Sequence, residues 1–314
     1  MTSRATRTEW LIFLALGFMW GSSYLFIKIG VDTFGTLTLV ALRLLIGAAT
    51  LWVAFRLTGT ALPRKRRTYG HLLVMALINI TIPFALITWA EQSVDSALAA
   101  ILNSSVPLFV IVIAPLFLPD EPIRLNGVVG LAVGFIGVVL LVSPGLMNAT
   151  GDLAGSLALL GSSLSYALGN VYNRRNVRGL PPLVPAVFQV TFAFLIVGVI
   201  ALVVERPWET VRPDPAAWFS VIWLGVFGSG LAYVLYFRLL GRWGATRTAL
   251  VAYLLPIYGI VLGFLVLQEH IDITLILGTA LIIAGVAIVN SPWGQRRLFR
   301  AVVPLEPAQP VEPA

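Results

Sequence analysis

Apolar residues gather into ten stretches of about 20 residues, separated by short segments rich in Pro, Gly, Asp and Arg. An α-helix of about 20 residues crosses roughly 30 Å of hydrocarbon. The pattern therefore predicts membrane helices near 10–30, 36–57, 71–91, 96–118, 125–143, 153–173, 183–204, 216–240, 245–267 and 274–292. After Trp293 come a basic turn and a Pro/Glu-rich segment, 294–314, with too little apolar surface to fold, and a disordered tail is expected there. The fold class is all-α, integral to the membrane.

Composition strengthens this picture. Of 314 residues, 58% are hydrophobic and 11% charged, where a soluble domain carries about a quarter charged residues. Too few charges are present to cover a water-facing surface, so the lipid bilayer is the expected partner. Arg4 and Arg7 before the first apolar run imitate a signal peptide. That run, however, continues through Trp20 to Lys28 without a small-residue cleavage site, and a retained helix is expected. There is no cysteine, which excludes disulfides and thiolate metal sites, and neither metal nor cofactor is expected.

A pI near 10.1 suggests nucleic acid until the charges are placed. With the N-terminus in the cytoplasm, seventeen of the 21 Lys and Arg residues fall on the cytoplasmic side, among them the run Arg64–Arg67. Only Lys28, Arg206 and Arg212 fall outside, and Arg43 lies within a helix. The asymmetry follows the rule that orients membrane proteins. It predicts a multi-pass protein of the cell membrane, with both termini cytoplasmic and no nucleic-acid partner.

One stretch occurs twice. Pro107, Glu121, Gly130 and Gly137 reappear as Pro256, Glu269, Gly278 and Gly285, with each glycine pair nine and sixteen residues past its glutamate. Such a repeat declares architecture. It extends to two halves, 9–143 and 153–292, whose residues correspond at an offset of about 146. Trp20 then matches Tyr166, Lys28 matches Arg174, and Arg43 matches Gln189. Five helices per half is an odd number, so the second half enters the membrane from the opposite side. Inverted repeats of this kind mark secondary transporters, with the site between the halves near the midplane.

With these residues in view, the chain resembles the EamA-like group of the drug/metabolite transporter superfamily. The likeness rests on Trp20-Gly21-Ser22-Ser23 with Lys28, on Arg43, and on the two Pro–Glu–Gly–Gly stretches, and it covers about residues 9–292. It implies a ten-helix, five-plus-five inverted fold that moves small metabolites, often amino acids or related compounds, outward. The second half departs from the first at Gln189 and Tyr166, so an anion-binding role for Arg43 is not duplicated.

Pro107 and Pro256 lie near the centres of their helices, and each proline frees the carbonyl four residues back. For Pro107 that carbonyl belongs to Asn103, and for Pro83 to Asn79, giving two Asn-x-x-x-Pro breaks at mid-depth. One reading is a kinked cavity wall in which Asn79, Asn103 and Ser104 bind a substrate; the other is a set of helix cross-links. Trp20 and Tyr24 share a face of the first long helix, as do Tyr166, Asn170 and Asn173 of the sixth. Phe84, Trp89, Tyr233, Tyr236 and Tyr253 complete the expected lining, while Trp10, Trp208, Trp218 and Trp293 suit the headgroup belt. Arg43, about 10 Å inside its helix, either attracts a carboxylate or braces the bundle through carbonyls. Lys28 and Arg174 are expected to snorkel. Glu121 and Glu269 are expected to complement the N-terminal dipoles of the helices that follow them, and the glycines to permit close packing. Glu91 is a weaker candidate for proton work.

Two rival classes fit poorly. An intramembrane enzyme built on Ser229 needs a histidine within hydrogen-bond reach, and His71 and His270 both fall at helix ends. A channel-like facilitator would show charge rings or a filter loop, and neither is present. The expectation is a non-enzymatic secondary transporter for efflux of small, amino-acid-like or amphipathic molecules by alternating access around a central cavity.

Overall fold

A computed structural model of the chain describes residues 6–118, 124–148, 151–177, 179–211, 214–236, 238, 239, 242, 250–291 and 294. Glu121, Trp293 and the segment 295–314 expected to be disordered lie outside them. Every regular element described is helical. α1 (Arg7–Phe34) and α2 (Thr36–Leu57) are continuous; α3 (Arg66–Ala76) passes through a π-helical segment (Leu77–Thr81) into α4 (Ile82–Ala90). α5 (Ser96–Asn103) and α6 (Val106–Phe117) form one broken rod, followed by α7 (Leu125–Asn148), α8 (Gly151–Asn176) and α9 (Leu183–Val204). After the short α10 (Pro207–Thr210), α11 (Pro215–Trp223) enters a second π segment (Leu224–Leu231). A 3-10 turn (Leu250–Tyr253) then leads into α12 (Leu254–Leu267), and α13 (Ile273–Asn290) follows.

Among the described residues, seven helical rods are long and apolar enough to cross a membrane; they correspond to the first five and the seventh and eighth of the ten predicted stretches. α12 and α13 are apolar but shorter. α8 has 26 residues, with Gly, Ser and Asn interleaved among its apolar positions. The bundle turns exposed Leu11, Val53, Leu195 and Val203 outward, which suits a lipid solvent and not water.

Local chemistry fixes the ends. Thr6 and Glu9 form a capping box at the start of α1, and Asp214 and Asp272 cap α11 and α13. Gly35 joins α1 to α2 at φ 75°, a conformation that glycine adopts without Cβ strain. A side chain there would also meet the Glu205 carboxylate at about 3.2–3.3 Å.

Hydrogen bonds group the helix ends into two sets. At the Gly35 end, Glu205 accepts from the backbone of Leu37 and Thr38, Thr33 donates to Asp214, Gln92 donates to Thr36, and Glu269 accepts from Ser96 and Ala97. At the opposite end, His71 meets Tyr172, and Asn126 donates to the carbonyls of Val289 and Ser291. Successive rods thus run alternately between the two ends.

Contacts between elements fall into matched pairs. α1 packs on α12 and on α11, while α8 packs on α6 and on α4. α2 packs on the second π segment, while α9 packs on the first and on α3. α2 meets α9, and α7 meets α13. The repeated glycines sit at this last crossing. A methyl group at Gly130 would lie 2.5 Å from the Gly285 carbonyl oxygen, and one at Gly137 would lie 2.8 Å from that of Gly278. Removing the side chains lets two backbones touch, which is how helices associate in lipid.

Two expectations about the rods are corrected. Pro107 does not kink a continuous helix: the rod stops at Asn103, turns through Ser104 and Ser105, and restarts with Pro107 in its first turn. Pro83 follows a π turn in which the Ile82 N–H donates to Leu77. The wider turn moves the free carbonyl back one residue, to Ile78, where the Ser165 hydroxyl donates to it at 2.6 Å. Pro256 sits in the first turn of α12, just past the 3-10 turn, so the two repeated prolines occupy similar breaks.

Candidate functional site

Side chains from α1, α2, α4, α5, α8, α9 and both π segments converge in the bundle interior. The break before Pro107 leaves carbonyls without helical partners, and hydroxyls take them up. Ser104 donates to the Ile101 carbonyl and Ser105 to that of Leu102, each at 2.6 Å, and Ser163 reaches Leu102 from α8 at 3.2 Å. Polar backbone is tolerated in a membrane interior when it is answered in this way. Ser104 is therefore occupied by its own helix end and does not face a ligand with a free hydroxyl proton.

Asn103 links three helices. Its amide donates to the Tyr24 hydroxyl at 2.7 Å, and its carbonyl oxygen accepts from Ser162 at 3.1 Å and Ser163 at 3.4 Å. Tyr24 accepts from Asn103 through one lone pair, and its own O–H finds no acceptor among the described residues. Asn79, on the first π segment, donates to Gln189 of α9 at 3.1 Å. Gly169 of α8 lets Asn79 approach, since a Cβ there would sit 2.9 Å from Oδ1.

Arg43 is buried on α2, seven residues from the helix start, or about 10 Å. Its guanidinium lies 4.2 Å from the centre of the Phe84 ring, and Nε donates to Ser229 at 3.3 Å. The approach depends on small residues: a methyl at Gly47 would meet the Ser229 Cβ at 2.7 Å, and one at Gly225 would meet the Ile46 Cβ at 2.5 Å. Tyr24, Tyr166 and Tyr233 are within electrostatic reach of the guanidinium, and Tyr166 packs against both large apolar clusters of the bundle. The Ser229 bond is the sole hydrogen bond of the guanidinium among the described residues, so its remaining donors are unspent. The expected brace of Arg43 through backbone carbonyls is not what holds it; an aromatic face and a hydroxyl do. Trp20 continues the lining, 6.2 Å from Tyr233 and 5.5 Å from Tyr236 between ring centres.

The structure thus brings together Trp20, Tyr24, Arg43, Asn79, Phe84, Asn103, Tyr166 and Tyr233. It sets two candidates apart. Trp89 is 47% exposed, and Asn170 is exposed and makes no hydrogen bond among the described residues. The side chain of Tyr253 lies outside the described residues. Trp10, Trp208 and Trp218 are exposed near rod ends, as a headgroup belt requires.

Two charged residues depart from expectation. Lys28 does not snorkel: Nζ donates to the Glu91 carbonyl at 2.7 Å and to the Val94 carbonyl at 2.9 Å. Glu269 does not serve the helix that follows it, which Asp272 caps; its two oxygens accept from Ser96 and Ala97 at the start of α5. Ser229 receives its hydrogen bond from a guanidinium, which cannot take its proton, while His71 is bonded to Tyr172.

The model of the EamA-like transporter family matches residues 8–143 and again 153–291. The chain belongs to the EamA-like transporter family. Relatives carry similar names across most of both sequences. An uncharacterized inner membrane transporter of Escherichia coli, YedA, is 30% identical over 79% of each chain. An uncharacterized transporter of Bacillus subtilis, YoaV, is 23% identical over 91% of this chain and 97% of its own. A solved crystal structure at 23% identity superimposes with a TM-score of 0.65, covering 90% of this chain and 96% of the other, which supports the fold. Family membership together with the apolar rods makes the chain a multi-pass membrane transporter.

Within this EamA-like interior, several participants escaped the sequence pattern. Ser162, Ser163 and Ser165 had a usable signal, a run of hydroxyls in the least apolar of the ten stretches. Gln189 was visible only as the counterpart of Arg43, and Ser229 only as an enzymatic candidate. Glu205, which caps α2, lies 167 residues from Thr38, and no local spacing links them.

Proposed function

We propose that the protein is a secondary transporter that moves small carboxylate-bearing, amino-acid-like or amphipathic metabolites out of the cell by alternating access. The observation that carries this reading is Arg43. A buried guanidinium in a membrane interior needs an anion or acceptors, and this one has an aromatic ring, one hydroxyl and unspent donors. The free O–H of Tyr24 adds another donor. A donor-rich, cationic centre with no carboxylate bonded to it among the described residues suits the oxygens of an acidic substrate, and the rings of Trp20, Tyr166 and Tyr233 suit its apolar part.

The mechanism in this reading uses two five-helix repeats, 9–143 and 153–292, inverted in a ten-span bundle with both termini cytoplasmic. Supporting it are the odd number of rods per half and the matched contacts described above. Further support comes from the π segments at corresponding positions and the breaks ahead of Pro107 and Pro256. Rocking of one half against the other about α2 and α9 would open the centre to each side in turn.

The test is flux into and out of liposomes holding the purified protein, with a panel of amino acids, nucleosides and amines. Saturable, mutually competing flux is expected for at least one carboxylate-bearing compound. Flux that never saturates would favour a channel-like facilitator, and no flux for any member would overturn the substrate class.

A further inference from the structure

At the Gly35 end, a second group of side chains makes no hydrogen bond to the centre around Arg43 among the described residues. Glu91 closes α4 and is fully buried, yet neither carboxyl oxygen has a hydrogen-bond partner among the described residues. Thr88, one turn earlier on the same helix, and Ser96, at the start of α5, also bury hydroxyl oxygens without partners among the described residues. The charged groups facing Glu91 are Lys28 of α1, Arg43 of α2 and Glu269 from the turn after α12. None forms an ion pair with it. Lys28 instead spends its ammonium on the Glu91 and Val94 carbonyls, the two ends of the turn that joins α4 to α5.

A buried carboxylate without a donor is among the costliest arrangements in a protein, and such a group stays neutral by holding a proton. Glu269 cannot supply a donor: its carboxylate serves the backbone of Ser96 and Ala97, and its charge opposes a second one nearby. A metal cation at this place would lie beside the Lys28 ammonium, which disfavours it. We propose that Glu91 is a proton-binding site coupled to the movement of the α4–α5 turn, with Lys28 as the reporter of its charge. In the described conformation Glu91 carries the proton, and Lys28 clamps the turn through two carbonyls. When the proton leaves to water, the carboxylate draws the Lys28 ammonium onto itself, and both carbonyls are released. The turn leads directly into α5, whose last residue is Asn103, so the proton state of Glu91 acts on the central site through one two-turn helix. Only the O–H bond of Glu91 forms or breaks. This inference rests on the transport reading for its purpose, though the proton site stands by itself.

Infrared difference spectroscopy of the full chain in lipid reads the site without any substrate. The wild type is expected to show, at neutral pH, the C=O band of a buried protonated carboxyl, absent in Glu91→Gln and retained in Glu269→Gln. If the wild type lacks the band, or Glu91→Gln keeps it, the proposal fails. Should Glu91→Gln not fold, survival of the band in Glu269→Gln and its titration in the wild type decide the assignment, and loss in Glu269→Gln overturns it. For any compound that the flux panel finds, an imposed pH gradient should change the initial rate several-fold in the wild type and leave Glu91→Gln unmoved. An equal response in both would refute the coupling while leaving the transport reading intact.

Discussion

Arg43 and Asn103 divide the interior by chemistry: one offers unspent charge, the other closes a network. Asn103→Leu would remove the partner of the Tyr24 hydroxyl at 2.7 Å and one acceptor each from Ser162 and Ser163, which keep the Leu159 and Leu102 carbonyls. The expected effect is a fall in stability on the order of 1–2 kcal/mol and a larger fall in flux, read by melting and transport of the same preparation. Ser165→Ala removes the donor that answers the Ile78 carbonyl but leaves Arg43 and its rings in place. Stability should drop by about 1 kcal/mol with flux retained; unchanged stability would mean that the π turn needs no external donor. These two serve as controls for each other. Arg43→Lys tests geometry instead of charge, because an ammonium reproduces neither the planar contact with Phe84 nor the fork of donors. Residues of this kind were legible where a costly side chain stood in an apolar run, as Arg43 and Asn103 do. Lys28 misled because its distance from the helix end is the same whether it reaches for water or for a carbonyl of α4.

Helices here are held by their ends and by their small residues. Glu205 and Glu269 come from the second half of the chain and cap α2 and α5 of the first, and each adjoins a non-glycine residue with positive φ, Arg206 at 46° and Gln268 at 57°. The left-handed residue turns the chain so that its neighbour faces another helix. Glu269→Ala should cost about 1–2 kcal/mol by orphaning two N–H groups, and should loosen α5, whereas the α13 cap at Asp272 remains. Hydrogen exchange of Ser96 and Ala97 checks this, and unchanged protection would return Glu269 to the dipole role expected from its position. Rod existence and most boundaries were readable from apolar length alone. Which helix a glutamate caps was not, since the sequence orders neighbours along the chain and capping joins residues 173 positions apart. The breaks were legible as prolines, but the π register that relocates a free carbonyl was not, because it depends on whether a hydroxyl from another helix is available.

For the molecule as a whole, the repeated Pro–Glu–Gly–Gly stretch separates into parts with different duties. Its prolines restart helices beside the interior, its glycines make the α7–α13 crossing, and Glu269 ties one half to the other. Orientation is a property of the whole chain and has its own test. A cysteine placed in the Arg64–Arg67 segment of this cysteine-free protein should resist impermeant thiol reagents in intact cells, and ready labelling would invert the proposed topology. The proposed substrate class was legible only as an unduplicated arginine, because the unspent donors of Arg43 and Tyr24 depend on partners that other rods do or do not supply. The most direct measurement compares exchange of a carboxylate-bearing compound in liposomes containing wild type, Arg43→Gln or Ser165→Ala, each matched for folded protein. The account predicts saturable exchange in the wild type and in Ser165→Ala, and loss by about tenfold or more in Arg43→Gln, the equivalent of roughly 1.4 kcal/mol of binding. Exchange at wild-type level in Arg43→Gln would contradict it.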